Sequence, residues 1–207
     1  MLQKGWKRQL KTVLPASAEF ATVQISEGMT LVGSAKEPIK LRPHLDFVAQ
    51  IAQSKPTQVT VGIFQGFSFP IYNTDNEELF FSDVVPRRWD GVSDITFSIW
   101  TALADAEDVG DGYQFQFSWE RAPCGKPIPE TIQDVEVEKT ILAGHNAQYD
   151  EYCVRFTLDY NLHGAGNEII PGDLLGGRLR RIASGGTEVD NEIIIFDWYV
   201  QYDRGFL

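Results

Sequence analysis

The densest group of potential metal ligands in this sequence is an acidic loop at residues 105–112. Asp105, Glu107, Asp108 and Asp111 lie within seven positions, and the loop ends at a glycine. Calcium binds six to eight oxygen ligands, which a loop of this composition can supply. The spacing does not match the D-x-[DN]-x-[DN]-G pattern of calcium-binding helix–loop–helix motifs. A solvated loop before a strand is therefore the preferred interpretation and no cofactor is expected, with a calcium site as the alternative.

No other group of residues has the spacing that catalysis requires. His44, His145 and His163 are in or beside turns, and no two of them have metal-ligand spacing. No nucleophile elbow, zinc motif or phosphate-binding glycine loop occurs. The carboxylates of the 75–78 cluster include adjacent glutamates, which would point to opposite faces of a strand. We therefore expect no catalytic residues and no enzymatic activity.

Tryptophan offers a different chemistry, because sugars pack against aromatic faces. Trp119 continues the apolar face of its strand and is expected in the core. Trp100 alternates with Ile95, Phe97 and Ile99 and should face outward. Trp89 follows two arginines in a predicted loop. Trp89 and Trp100 are therefore the candidate ligand-binding residues, with a cell-surface glycan as the ligand class.

Charge is distributed unevenly along the chain. The net charge is −11, and residues 1–11 hold +4, so the remainder holds −11 − 4 = −15. An acidic body repels a phosphate backbone, so we expect no nucleic-acid partner. The sequence contains no apolar run long enough to cross a membrane. The basic arm is the candidate docking segment, through Lys4, Trp6, Lys7, Arg8 and Lys11.

Two-residue periodicity dominates the sequence from residue 57 onward. Residues 113–119 place an aromatic side chain at every odd position and a polar one at every even position, and residues 152–160 repeat the alternation. One strand face is also predicted through Val59, Val61, Ile63, Phe67 and Phe69. The last apolar run, 192–202, is apolar on both faces and is expected in the middle of a sheet or at an interface.

These strands, separated by regularly spaced turns, predict an all-β fold with two packed antiparallel sheets. We divide the chain into a basic N-terminal arm at 1–18, an extension packing on the body at 19–56, and a β-sandwich domain at 57–207.

Three segments between residues 66 and 181 resemble a jelly-roll domain of tailed-bacteriophage virion proteins. The motifs are Gly66 to Tyr72 followed by Asp75 to Leu79, then Val85-Pro86-Arg87-Arg88-Trp89-Asp90-Gly91, and finally Gly172-Asp173-Leu174-Leu175-Gly176-Gly177-Arg178-Leu179-Arg180-Arg181. The resemblance covers about residues 60–207 and lies mainly in the order of the motifs.

The resemblance implies a jelly-roll-type β-sandwich that forms a homotrimer in a virion, as a capsid decoration, tail or fibre subunit contacting other virion proteins. It implies structural roles for Gly91 and Gly172-Asp173 at turns. It also implies assembly roles for Arg178 and Arg180, which would bond acids within or between subunits. A carbohydrate- or receptor-binding module that uses surface aromatics is the alternative function.

Overall fold

The computed structural model describes residues 56–71, 77–128, 132–161 and 168–203. All of them belong to one compact unit, Lys36–Leu207. The predicted arm at 1–18, with its five docking residues, and the extension as far as residue 55 lie outside the described residues.

The described residues form nine β-strands and no helix. Where the structure describes the segments between strands, glycine-rich stretches form turns, as at Gly144 and Gly172, which both have positive φ. The strands are β1 Thr57–Val61, β2 Phe64–Phe69, β3 Glu78–Val84, β4 Ile95–Leu103, β5 Gly112–Ala122, β6 Gln133–Thr140, β7 Glu151–Leu158, β8 Leu174–Ile182 and β9 Ile193–Gln201.

The strands form two antiparallel sheets in the order β1-β2-β9-β4-β7 and β3-β8-β5-β6. Without β1, the hydrogen-bonded pairs β4–β7, β5–β6, β3–β8 and β2–β9 are those of one long antiparallel ribbon from β2 to β9. Folding that ribbon over itself adds the pairs β4–β9 and β5–β8. This connectivity defines a jelly roll. The fold predicted from the sequence is therefore confirmed.

The alternating strands take the orientation that their periodicity predicts. Tyr113, Phe115, Phe117 and Trp119 on β5 are fully buried, and so are alternate residues of β4 and β7. The doubly apolar β9 lies between β2 and β4, in the middle of the five-stranded sheet. A strand that is apolar on both faces therefore lies in the middle of its sheet, which is one of the two positions predicted for it.

The predicted continuous strand face from Val59 to Phe69 is wrong. Gly62 has φ +59°, and Ile63 is not at positive φ, so these two residues form a type II′ turn between β1 and β2. The chain reverses there, and Ile63 is at the tip of a hairpin with 91% of its surface exposed. The two-residue alternation of apolar residues continues from β1 into β2, so the sequence pattern does not show the turn between them.

Stacked phenylalanine rings join the two sheets at the centre of the core. Phe97 on β4 stacks on Phe81 of β3 and Phe117 of β5, with ring centroids 4.9 and 4.3 Å apart. Phe81 and Phe117 are 5.1 Å from each other. Gly177 on β8 lies beneath them, and a Cβ there would be 2.1 Å from Phe81 and 2.5 Å from Phe117. The stack therefore occupies the volume that a side chain at residue 177 would need.

Candidate functional site

Trp89 is a core residue, which corrects the prediction that it lies on the surface. Its side chain is 3% exposed and packs edge-on against Tyr160 and Tyr202. Its indole N–H donates to the Ser93 hydroxyl at 3.1 Å. Arg87 and Arg88 are exposed because they are the central residues of a turn, which the Trp89 amide closes by donating to the Pro86 carbonyl at 3.1 Å. The chain then directs the indole inward. Trp89 is therefore not available to a ligand.

Asp90, the next residue, begins a second turn, at residues 90–93. Its Oδ1 accepts hydrogen bonds from the amides of Val92 and Ser93 and from the Ser93 hydroxyl, at 3.0, 2.9 and 2.8 Å. Burial acts to raise the pKa of Asp90, but these three bonds outweigh it and lower the pKa below its ordinary value. Gly91 takes the positive φ of +76° that the turn requires. The Trp89-Asp90-Gly91 motif therefore has a structural role.

The carboxylates of the acidic loop, all of them described, are not gathered around a common point. Glu107 is buried, and its carboxylate oxygens accept hydrogen bonds from the amides of Asp190 and Asn191, each at 2.9 Å. Asp105 and Asp108 are exposed. In the described residues, no group of three or more histidine, cysteine or acidic side chains is arranged to hold a metal ion. The inward orientation of Glu107 removes it from the predicted calcium set of Asp105, Glu107, Asp108 and Asp111.

Arg178 and Arg180 project from β8 onto the outer face of the four-stranded sheet. Arg178 pairs with Glu78 of β3 at 3.5 Å and donates to the Ser118 hydroxyl at 3.2 Å. Arg178 therefore has an acid partner within the same chain, and its role in assembly stays a prediction. Arg180 instead donates to the Gln116 side chain at 2.6 Å, and Gln116 in turn donates to Glu136 at 2.8 Å. Arg180 is therefore linked to the Glu136 carboxylate through the side-chain amide of Gln116.

Gly172 and Asp173 anchor the start of β8. Gly172 has φ +96°, and its amide donates to the carbonyl of Val85 at 2.9 Å. The buried Asp173 carboxylate accepts from the Ile170 amide at 3.1 Å and pairs with Arg121 at 3.0 Å. Gly172 and Asp173 therefore form a turn, as the resemblance implies.

The exposed aromatic group of the described chain is centred on Trp100, as predicted for that residue. Trp100 is 41% exposed on the outer face of β4, the side opposite the core. Cys153 of β7 and Asp197 of β9 are its direct neighbours across the sheet. Side chains directly opposite on adjacent strands have Cβ atoms about 4.5–5.5 Å apart. The indole is therefore flanked by a thiol on one side and a carboxylate on the other.

One step along the same strands, Arg155 and Tyr199 flank Ser98. Hydrogen bonding and charge interaction with Cys153, followed by interactions with Tyr199, raise the pKa of the Arg155 guanidinium above its ordinary value. Cys153, Arg155 and Tyr199 therefore lie close together on this face of the sheet. We call Trp100, Cys153, Arg155, Asp197 and Tyr199 the Trp100 face.

A β-bulge extends the aromatic surface toward β2. The register between β4 and β9 shifts after Trp100, which leaves Phe196 without a partner on β4. The Phe196 ring contacts Phe64 of β2 edge-on, with ring centroids 6.1 Å apart. Gly66 makes room for it, because a Cβ there would be 2.9 Å from the Phe196 ring. Sequence periodicity could not locate this pair, since a bulge interrupts the two-residue period.

The Trp100 face presents an exposed aromatic ring beside groups that form hydrogen bonds. An exposed indole can stack on a sugar ring, and Asp197, Arg155 and Tyr199 can accept from or donate to hydroxyl groups. The only histidine in the described residues is His145, an exposed residue of the turn after β6. In that same part of the chain, no helix is long and apolar enough to span a membrane.

No protein family model matches this chain, and no curated protein matches it. Among solved structures, the chain is similar to a carbohydrate-binding module, CBM28, described as specific for non-crystalline cellulose. The likeness covers 73% of this chain and 82% of that chain at 8% identity, with a TM-score of 0.40.

Proposed function

We propose that this chain is a non-enzymatic structural subunit of a bacteriophage particle, a capsid decoration, tail or fibre protein that assembles through its β-domain. The observation that carries the proposal is the location of the motif residues that resemble phage virion domains. Asp90-Gly91 and Gly172-Asp173 form the turns that lead into β4 and β8, and Gly177 lies under the core stack. A motif set that builds the scaffold supports a structural role.

Particle composition tests this proposal. An antibody raised against the purified chain would be applied to phage particles that had been banded by density. We expect the chain in the intact particle fraction, and immunogold labelling would assign it to head, tail or fibre. Its absence from particles, together with its presence in the unassembled fraction of the lysate, would overturn the proposal.

Glycan binding on the Trp100 face is the second candidate function. It is favoured by the exposure of Trp100 among Asp197, Arg155 and Tyr199, which combines a stacking surface with groups that bond hydroxyls. The test is a glycan array with the wild-type chain, Trp100→Ala and Val109→Ala. Val109 is also exposed but lies outside this face.

Stacking on an aromatic side chain contributes about 0.5–1.5 kcal/mol beyond area burial. We therefore expect Trp100→Ala to weaken binding by about 3- to 10-fold or more, with Val109→Ala unchanged. Binding that is unaffected by Trp100→Ala, or no binding by the wild type, would remove this candidate.

A further inference from the structure

The β1–β2 hairpin is unlike the rest of the described chain in charge. The segment from 56 to 74 contains no acidic or basic residue, in a protein with a net charge of −11. Two copies of an acidic protein repel each other, and the repulsion is weakest where their surfaces are uncharged. The hairpin is therefore a surface on which a second copy can approach closely.

The four strands at sheet edges differ in how they resist pairing with another chain. An exposed edge strand presents unpaired N–H and C=O groups, and proteins usually protect such edges with charged side chains. Strands β7, β3 and β6 follow this rule. Their charged residues are Glu151 and Arg155 on β7, Glu78 and Asp83 on β3, and Asp134, Glu136, Glu138 and Lys139 on β6.

Strand β1 is the edge that lacks this protection. It reads Thr-Gln-Val-Thr-Val, with two β-branched threonines and two valines and no charge. Among the described strands, none but β2 pairs with it. The ladder between β2 and β9 begins only at Phe67, so residues 64–66 of the hairpin do not pair with β9. β1 therefore combines high β-propensity with an edge that no described strand covers.

The tip of the hairpin is apolar where a turn is usually polar. Ile63 is 91% exposed and Phe64 is 63% exposed. A type II′ turn needs glycine at its first central position, which Gly62 supplies, but it places no demand for isoleucine at the second. The turn geometry therefore does not account for Ile63. Ile63 and Phe64 are adjacent, so they form one apolar patch at the tip of the hairpin, and contiguous apolar patches are a feature of interaction sites.

We infer that the β1–β2 hairpin is a self-association element, whose partner is the same hairpin of a second copy of this chain. The uncharged edge of β1 and the apolar tip become buried together in the contact. Either two hairpins across a twofold axis or three around a threefold axis would bury them. This inference rests on the proposed structural role, because it names the surface through which that subunit contacts its copies.

Size-exclusion chromatography with light scattering on the full chain tests the inference. The wild type is compared with Ile63→Lys, Thr60→Lys and the control Val109→Lys, which adds the same charge at another exposed apolar residue. Thr60 is exposed on β1, so a lysine there charges the edge without entering the core. Circular dichroism and thermal melting confirm that each variant is folded.

We expect the wild type at a multiple of the 23.3 kDa chain mass at tens of micromolar. Burying a lysine in the contact should weaken association at least about tenfold in Ile63→Lys and Thr60→Lys, with no change in Val109→Lys. Hydrogen exchange should also show concentration-dependent protection of the Val59 and Val61 amides.

A monomeric wild type, or Ile63→Lys and Thr60→Lys variants that associate like the wild type, would overturn the inference. Neither result removes the chain from the particle, so a failure of the hairpin contact is distinguishable from a failure of the proposed function. A chain that is absent from particles but loses its self-association in Ile63→Lys would overturn the proposed function alone.

Discussion

Two adjacent glycines on β8 should respond in opposite ways to alanine. Gly177 faces the core, where an added Cβ would be 2.1 and 2.2 Å from two atoms of the Phe81 ring and 2.5 Å from the Phe117 ring. Gly176 faces outward, and its nearest neighbour would be the Glu120 side chain at 3.9 Å. The two substitutions are otherwise alike, because both are on β8 between the same two strands and both add one methyl group.

The contact distances set the expected size of the effect. Non-bonded carbon atoms pack at about 3.5–4.0 Å. The Cβ added by Gly177→Ala would lie at least about 1 Å closer than this to three ring carbons of Phe81 and Phe117. Both rings also stack on Phe97, so neither can move without disturbing the joint between the sheets. Overpacking usually costs about 1–3 kcal/mol, and we expect about 3 kcal/mol or more. Gly176→Ala should be neutral or stabilise by up to about 1 kcal/mol, because it restricts the unfolded chain.

Urea denaturation followed by tryptophan fluorescence measures the free energy of unfolding of both variants. For a domain of this size, a loss of about 3 kcal/mol lowers Tm by about 6–12 °C. The m-value should stay constant, since the surface exposed on unfolding is unchanged. The reasoning is refuted if Gly177→Ala and Gly176→Ala have equal stability, because the core stack would then not need the glycine.

Three further predictions follow from burial and charge. Trp89→Ala should lower the free energy of unfolding by about 3–5 kcal/mol and Trp100→Ala by about 0.5 kcal/mol or less, measured by denaturation; equal effects would contradict the assignment of one to the core and the other to the surface. Arg181 is buried and donates to Glu188 and three backbone carbonyls, so Arg181→Met should cost about 3–5 kcal/mol, and a loss below about 1 kcal/mol would argue against that network. Burial raises the pKa of Asp83 above its ordinary 3.8, against a backbone bond from Val84 that lowers it, so the ionised carboxylate destabilises the fold as the pH rises above 3.8. Asp83→Asn should therefore raise Tm at neutral pH, with a gain that disappears at about pH 3; a gain that persists at acid pH would point to a cause other than ionisation.

Much of the fold could be predicted because strand periodicity is a local property. The alternation of Tyr113 to Trp119 requires only that one face of β5 meets a core, and the structure places those residues there. The central position of β9 was also predictable, since only a strand covered on both sides keeps apolar residues on both faces.

The site residues could be predicted only in part. Trp100 lies in a regular strand, so its outward direction follows from the two-residue period. Trp89 lies in a turn, where direction depends on backbone geometry and not on periodicity, and the turn directs the indole into the core. Glu107 is similar, because its burial depends on the backbone amides of Asp190 and Asn191, far away in the sequence.

The sequence by itself determined that this is an all-β protein with alternating strands, regular turns and an acidic body, because these depend on residue type and on near neighbours. Only the tertiary structure decided which strands pair, where the hairpin turns and which side chains meet. It placed Gly177 under the phenylalanine stack, brought Phe64 to Phe196, and left the uncharged β1 at an edge where no described strand pairs with it. Those contacts join residues distant in the chain, so they exist only once the ribbon from β2 to β9 has folded over itself.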